Sequence, residues 1–96
     1  MPRTIAIPDK IFDDFKVLTQ ENEPFFQFMA FFATVTFLEK VEDDFWALEF
    51  PACISSDGRP FLYKVAAYFR LAYHTQGKAG KNRRTIMYPG SQFKDK

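Results

Sequence analysis

A thiol and an imidazole are the side chains from which this 96-residue sequence could assemble a Cys–His pair of nucleophile and base. Cys53 is the only cysteine and His74 the only histidine, and 21 positions separate them, so only folding could join them. A structural cysteine and a surface histidine are the alternative, and we adopt it because no motif in the chain dictates a reaction. The sequence therefore predicts no catalytic residue and a protein that is not an enzyme.

Metal and cofactor sites are not predicted either. Glu42, Asp43 and Asp44 are adjacent carboxylates, but they lack the spaced ligands and the glycine of a calcium loop. None of the four glycines has the spacing of a phosphate-binding loop. A single cysteine excludes an intrachain disulfide and a cysteine-rich zinc site, which suits a reducing compartment. We expect no metal, no cofactor and a cytoplasmic location.

Charge is divided unevenly along the chain, although the net charge is only +1. Residues 1–57 carry four basic and eleven acidic side chains, whereas residues 58–96 carry nine basic and one acidic. Such an asymmetry favours an anionic partner for the basic half, or neutralisation of one half by the other. A solvated basic tail is the alternative interpretation.

The basic half predicts a nucleic-acid interface. Four cations lie between positions 78 and 84 with small or polar residues among them, and such a segment can follow a phosphate backbone. Three more lie in the preceding segment, and the four tyrosines of this half can stack on bases. The predicted nucleic-acid-binding residues are Arg59, Lys64, Arg70, Lys78, Lys81, Arg83 and Arg84. DNA is favoured over RNA as the partner.

Two functions remain open at this level. The first is a small non-catalytic nucleic-acid-binding accessory or regulatory protein. The second is a protein interaction module or inhibitor whose acidic N-terminal half docks on a basic partner. The longest apolar stretch, residues 25–38, has 14 residues, whereas crossing a bilayer needs about 20, so we expect no membrane association.

The apolar spacing predicts a mainly α fold, in which a short N-terminal strand precedes three helices around one aromatic-rich core. Ile5 and Ile7 alternate in the strand, and apolar residues recur every three or four positions in the helices. The predicted strand covers 4–7, and the predicted helices cover 8–20, 24–38 and 61–74. A single domain is expected over 1–96, with a flexible basic loop at 75–84 and a polar tail at 91–96.

Three segments keep alternatives. Residues 33–38 also fit a strand, because β-branched residues are frequent there, although we prefer the helix. Residues 45–50 are apolar and bounded by Pro51, and their type stays open. Residues 85–88 can form a small C-terminal edge strand.

The second predicted helix is apolar on nearly every face. A helix of this kind needs cover all round, which in a short chain usually means packing against another copy. We therefore expect a homo-oligomer. The predicted interface residues are Phe28, Phe31, Phe32 and Val35.

The order of strand Thr4-Ile5-Ala6-Ile7, helix 8–20 and helix 24–38 resembles the ribbon-helix-helix family of dimeric DNA-binding proteins. The resemblance covers about 40% of the chain, residues 1–40. In that family two copies pair their strands, bury their second helices together and read bases with outward strand residues. The resemblance implies that Thr4 and Ala6 would occupy the base-reading positions.

A second resemblance is to the small DndE-like proteins of bacterial DNA phosphorothioation systems. It rests on the short N-terminal lead, the apolar second helix, the aromatic segment Phe45-Trp46-Ala47-Leu48 and the Asp57-Gly58 pair. This similarity implies an oligomeric nucleic-acid-binding accessory protein without a catalytic site.

Overall fold

The computed structural model describes residues 3–42, 45–78 and 83–89 and shows an α/β fold built on a four-stranded mixed sheet. The prediction of a mainly α fold is therefore wrong. The strands are β1 (Arg3–Ala6), β2 (Trp46–Glu49), β3 (Leu71–Gln76) and β4 (Arg84–Pro89). Their spatial order is β1-β2-β4-β3. β1 is parallel to β2, and β4 is antiparallel to both of its neighbours.

The helices of the described residues are α1 (Asp9–Phe12), which a 3₁₀ turn follows at Asp13–Phe15, α2 (Glu23–Lys40) and α3 (Arg59–Tyr68). The predicted helix at 24–38 is confirmed by α2, which also excludes the strand alternative at 33–38. Pro24 is tolerated at the start of α2 because the first helical amides have no intrahelical acceptor. The other two predicted helices are wrong in extent.

The predicted helix 8–20 stops early because Asn22 provides other partners for its backbone. The Asn22 Oδ1 accepts a hydrogen bond from the Thr19 amide at 2.7 Å. Its Nδ2 donates to the carbonyls of Val17 at 3.0 Å and Asp14 at 3.3 Å. Side-chain bonds of this kind compete with helical ones, so the chain closes a loop before α2 begins.

The predicted helix 61–74 ends at Tyr68, because the chain reverses in the two residues after it. Arg70 has φ 61°, in the left-handed region that ends many helices. Its amide donates to the carbonyl of Ala67 at 3.1 Å. β3 then begins at Leu71, where the sequence predicted another helical turn.

Two strands give further corrections. The open segment 45–50 contains β2. The predicted edge strand at 85–88 is part of β4, but β4 lies between β2 and β3, so it is central in the sheet. The edges of the sheet are β1 and β3, because each pairs with one strand only.

The core lies between the helices and one face of the sheet, and phenylalanine rings fill much of it. Phe12 contacts the rings of Phe26 and Phe50 edge-on, each at 5.9 Å between centroids. Gly58 lies at the start of α3, where a Cβ would come within 3.0 Å of both Phe26 and Ile54. A side chain at this position would push both residues outward, so glycine eases the close approach of α3 to α2.

Candidate functional site

The two faces of the sheet differ in what covers them. Side chains alternate across a strand, so Leu48 and Met87, which pair in register, both point toward the helices and belong to the core. Their neighbours Glu49 and Ile86 also pair, and they point to the opposite face. The core cluster that joins the helices to the sheet includes Leu48 and Met87, whereas Ala47 and Ile86 are buried on the opposite side, outside that cluster. We call the opposite side the open face.

The open face carries an ion pair and a ring pair. The Arg84 Nε lies 3.4 Å from the Glu49 Oε2, which joins β4 to β2. The His74 Nδ1 lies 3.4 Å from the Tyr88 hydroxyl, and the two ring centroids are 5.6 Å apart. Ala72 is the register partner of Tyr88 on this face.

One end of the sheet gathers cations where β3 and β4 meet their connection. Gln76 pairs with Arg84, and Lys78 and Arg83 extend the two strands beyond that pair. The Arg83 guanidinium donates to the Gly77 carbonyl at 3.4 Å, which holds it across from the end of β3. No ion pair of Lys78 or Arg83 occurs among the described residues. We call Lys78, Arg83 and Arg84 the hairpin-end cations.

Arg59 belongs to the same end of the molecule. α3 and β3 run in opposite directions on either side of the turn at 69–70, so the first residue of α3 lies toward the end of β3. The Tyr63 hydroxyl lies 2.9 Å from the Thr75 hydroxyl, which fixes that alignment. The Arg59 guanidinium donates to the Ile54 carbonyl at 3.3 Å.

The structure separates the other predicted cations from the hairpin end. Lys64 is exposed on the outer side of α3 and lines a groove with Phe31 and Tyr68. Arg70 lies in the turn before β3, at the opposite end of that strand. Lys81 lies outside the described residues. Of the predicted loop 75–84, residues 75, 76 and 84 belong to strands, and 79–82 are outside the described residues.

Of the four tyrosines, only Tyr88 lies on the open face. Tyr63 and Tyr73 stack on each other at 4.5 Å between α3 and β3. Tyr68 packs against the rings of Phe31 and Phe69 on the helix side. The four tyrosines therefore do not form one surface on which bases could stack.

The charge asymmetry of the sequence becomes a separation in space. Ala6, the last residue of β1, pairs with Glu49, the last residue of β2. Because β4 is antiparallel to β2, its first residue, Arg84, lies at this same end of the sheet. β1 leads directly into the acidic segment 9–14, on the edge opposite β3. That end of the molecule is thus acidic beside β1 and basic beside β3.

Cys53 and His74 do not form a catalytic pair. The Cys53 Sγ lies 3.7 Å from the Asp9 carbonyl oxygen, beside the core, whereas His74 is on the open face. Partial burial raises the pKa of the Cys53 thiol, and the carboxylates of Asp9 and Asp13 raise it further. The thiolate is therefore disfavoured, which opposes a nucleophilic role. Among the described residues no cluster of three metal-ligating side chains occurs, and Asp43 and Asp44 lie outside them.

The predicted oligomer interface lies on the outer side of α2. Phe28, Phe31 and Phe32 are exposed, whereas Val35 is partly buried. Phe25 is exposed as well and was not in the prediction. Thr34, one position from Val35, is fully buried because it faces the sheet.

Sequence reasoning missed Glu49 and the pairing of His74 with Tyr88. The alternation of Leu48, Glu49 and Phe50 is a strand pattern that would have placed Glu49 away from the core. The ring pair depends on the register of β3 with β4, which no local pattern contains.

Comparison with known proteins identifies no relative of this chain. None of the helices among the described residues is long and apolar enough to cross a membrane. No protein-family model matches the chain, and no match occurs among the curated proteins or the solved structures.

Proposed function

We propose that the protein binds nucleic acid without catalysis, through the hairpin-end cations and the adjoining open face. The observation that carries the proposal is that Lys78, Arg83 and Arg84 lie at the same end of the β3–β4 hairpin, next to the open face, onto which Arg84 projects. Cations on two adjoining strands can contact successive phosphates, which supply sequence-independent affinity. DNA remains the favoured partner.

The open face favours unpaired bases over a duplex. A flat sheet surface with aromatic rings can stack on bases that are not already stacked in a helix. His74 and Tyr88 supply such rings. His74 is exposed two residues before the Gln76 end of β3, and Tyr88 is partly buried four residues after the Arg84 end of β4. Phosphates would lie along the hairpin-end cations while a base contacts the ring pair.

A salt-dependent titration tests the proposal. The wild-type protein is titrated onto single-stranded and duplex oligonucleotides between 50 and 200 mM salt, where phosphate-led affinity falls steeply, by about 10³-fold or more for six or more contacts. We expect tighter binding to the single strand and a linear loss of log affinity with log salt. An affinity below the detectable range for both oligonucleotides would reject the proposal.

A matched pair of variants then locates the interface. The double variant Lys78→Gln/Arg83→Gln should weaken binding to all sequences and reduce the salt slope by about 0.7 per lost single-strand contact. The control is Lys64→Gln/Arg70→Gln, which removes the same two charges away from the hairpin end. Equal losses from both double variants would show that only net charge matters and would reject this interface.

The alternative function, a protein interaction module, is favoured by a separate observation. Exposed carboxylates are concentrated between α1 and the start of α2, at Asp9, Asp13, Asp14, Glu21 and Glu23. Lys16 pairs with Asp13 at 3.6 Å, so the segment keeps an excess of negative charge. This surface would dock on a basic partner protein. Retention on a polycationic peptide column, without affinity for either oligonucleotide, would favour the alternative.

A further inference from the structure

The outer side of α2 is a ridge of aromatic rings. Phe25, Phe28 and Phe32 lie on one stripe of the helix and are 66%, 63% and 53% exposed. The rings of Phe28 and Phe32 are stacked, with centroids 5.9 Å apart and planes 15° apart. Exposed apolar patches of this extent often mark interaction sites, which makes the ridge a candidate for one.

An apolar groove flanks the ridge on each side. One lies between α2 and the β1 edge, is lined by Ile7, Met29 and Leu48 among others, and has a volume of about 260 Å³. The other lies between α2 and α3, beside Phe61 and Tyr68, with a volume of about 300 Å³. Helices pack by inserting the ridge of one into the groove of another. A surface that carries both a ridge and grooves can therefore complement itself.

The exposed area of this surface is sufficient for a dimer. Phe31 and Tyr68, which are 40% and 73% exposed, extend the ridge toward α3. With roughly 200 Å² for each aromatic side chain, the five rings expose about 600 Å² per copy. Two copies would bury about 1,200 Å² from these rings alone, which reaches the lower end of a standard interface.

We propose that a second copy of this chain covers the ridge, forming a symmetric dimer through α2. Phe28 is the central ring of the stripe, so a twofold axis beside it would bring Phe25 of one copy against Phe32 of the other. The stripe from Phe25 to Phe32 contains no charged side chain, and Lys40 and Lys64 line the outer parts of the two grooves, so the centre of the surface suits an apolar partner. The open face lies on the other side of the sheet, so the dimer leaves it accessible.

Light scattering with the wild-type protein between 1 and 100 μM tests the dimer. We expect a dimer mass at tens of micromolar. Phe28→Asp should raise the dimer dissociation constant by at least about 30-fold, because the symmetry places the buried charge twice at the centre. Val17→Asp is the matched control, since Val17 is 73% exposed but outside the ridge, and it should remain dimeric.

Circular dichroism separates dissociation from unfolding. Phe28 is exposed in the single chain, so Phe28→Asp should keep the wild-type spectrum. If that variant unfolds, the milder Phe28→Gln/Phe32→Gln variant takes its place, with the same expected dissociation. A wild-type monomer at 100 μM, or folded ridge variants that stay dimeric, would overturn the proposal.

Discussion

Arg84 pairs with Glu49 across the open face, with 3.4 Å between Nε and Oε2. Glu49 lies opposite Ile86 in the ladder, so the arginine reaches it diagonally from the first position of β4. The pair neutralises one hairpin-end cation in the free protein. A phosphate that approaches Arg84 must therefore compete with a carboxylate of the protein itself.

Glu49→Gln should strengthen nucleic-acid binding. Without the carboxylate, Arg84 can contact phosphate, so affinity should rise and the salt slope should become steeper by up to about 0.7 for a single strand. The loss of this partly exposed pair should cost stability less than about 1 kcal/mol. Titration against Glu39→Gln, the same charge change at the end of α2, provides the comparison. Unchanged or weaker binding by Glu49→Gln would show that Arg84 has no phosphate contact.

Thr85→Val should stabilise the fold. The Thr85 hydroxyl is buried and has no hydrogen-bond partner within the described part of the chain. A buried hydroxyl without a partner costs about 1–3 kcal/mol, and valine keeps the shape, so we expect the unfolding free energy to rise by about 1 kcal/mol. Urea denaturation measures it.

Thr34→Val is the contrast to that variant. The Thr34 hydroxyl is equally buried, but it donates to the Ala30 carbonyl at 2.9 Å and lies 3.9 Å from the Met87 sulfur. Thr34→Val removes this hydrogen bond, so the unfolding free energy should not rise. A larger midpoint increase for Thr34→Val than for Thr85→Val would contradict this explanation.

The elements that sequence could predict are those with one dominant pattern. α2 combines a long apolar run with a proline at its first turn, and no residue within it ends a helix. The boundary between α3 and β3 could not be found this way. Phe69 and Ala72 continue the helical spacing, while Leu71, Tyr73 and Thr75 equally fit one face of a strand. Pairing with β4, distant in sequence, decides between the two periods.

Arg70→Gly should stabilise the protein. Arg70 has a positive φ in the turn between α3 and β3. A non-glycine residue in the left-handed region costs on the order of 1 kcal/mol, and glycine removes that cost. Part of the gain is lost to the greater freedom of glycine in the unfolded chain, so we expect an increase of about 0.5 kcal/mol. Arg70→Val should instead destabilise, since a β-branched residue fits this conformation poorly. Thermal unfolding of both variants checks the order.

Part of the candidate site could be predicted from the sequence because its residues are close together in the chain. Lys78, Arg83 and Arg84 are neighbours in the chain, so any hairpin between β3 and β4 brings them together. The sequence groups Lys64 and Arg70 with them because a helix over 61–74 would present both on one basic face beside the basic loop. The reversal at Arg70 sends them to other surfaces, which is a consequence of the tertiary fold.

Cys53 should react slowly with thiol reagents in the native protein. Its pKa is raised by partial burial and by the carboxylates of Asp9 and Asp13, so the reactive thiolate is scarce at neutral pH. Labelling at pH 7.5 should be slower than in the urea-unfolded chain at the same pH. Native labelling as fast as that of the unfolded chain would contradict the structural role and would reopen a nucleophilic one.

The same shift predicts how stability depends on pH. A raised pKa means that the folded protein holds the thiol proton more tightly than the unfolded chain does. This contribution is fully present below the ordinary thiol pKa of about 8.5 and is lost as pH rises through the folded value. Between pH 7 and pH 10, the wild-type unfolding free energy should therefore fall more than that of Cys53→Ser, which has no group titrating there. Equal falls in urea denaturation would show that the thiol environment does not favour the neutral form.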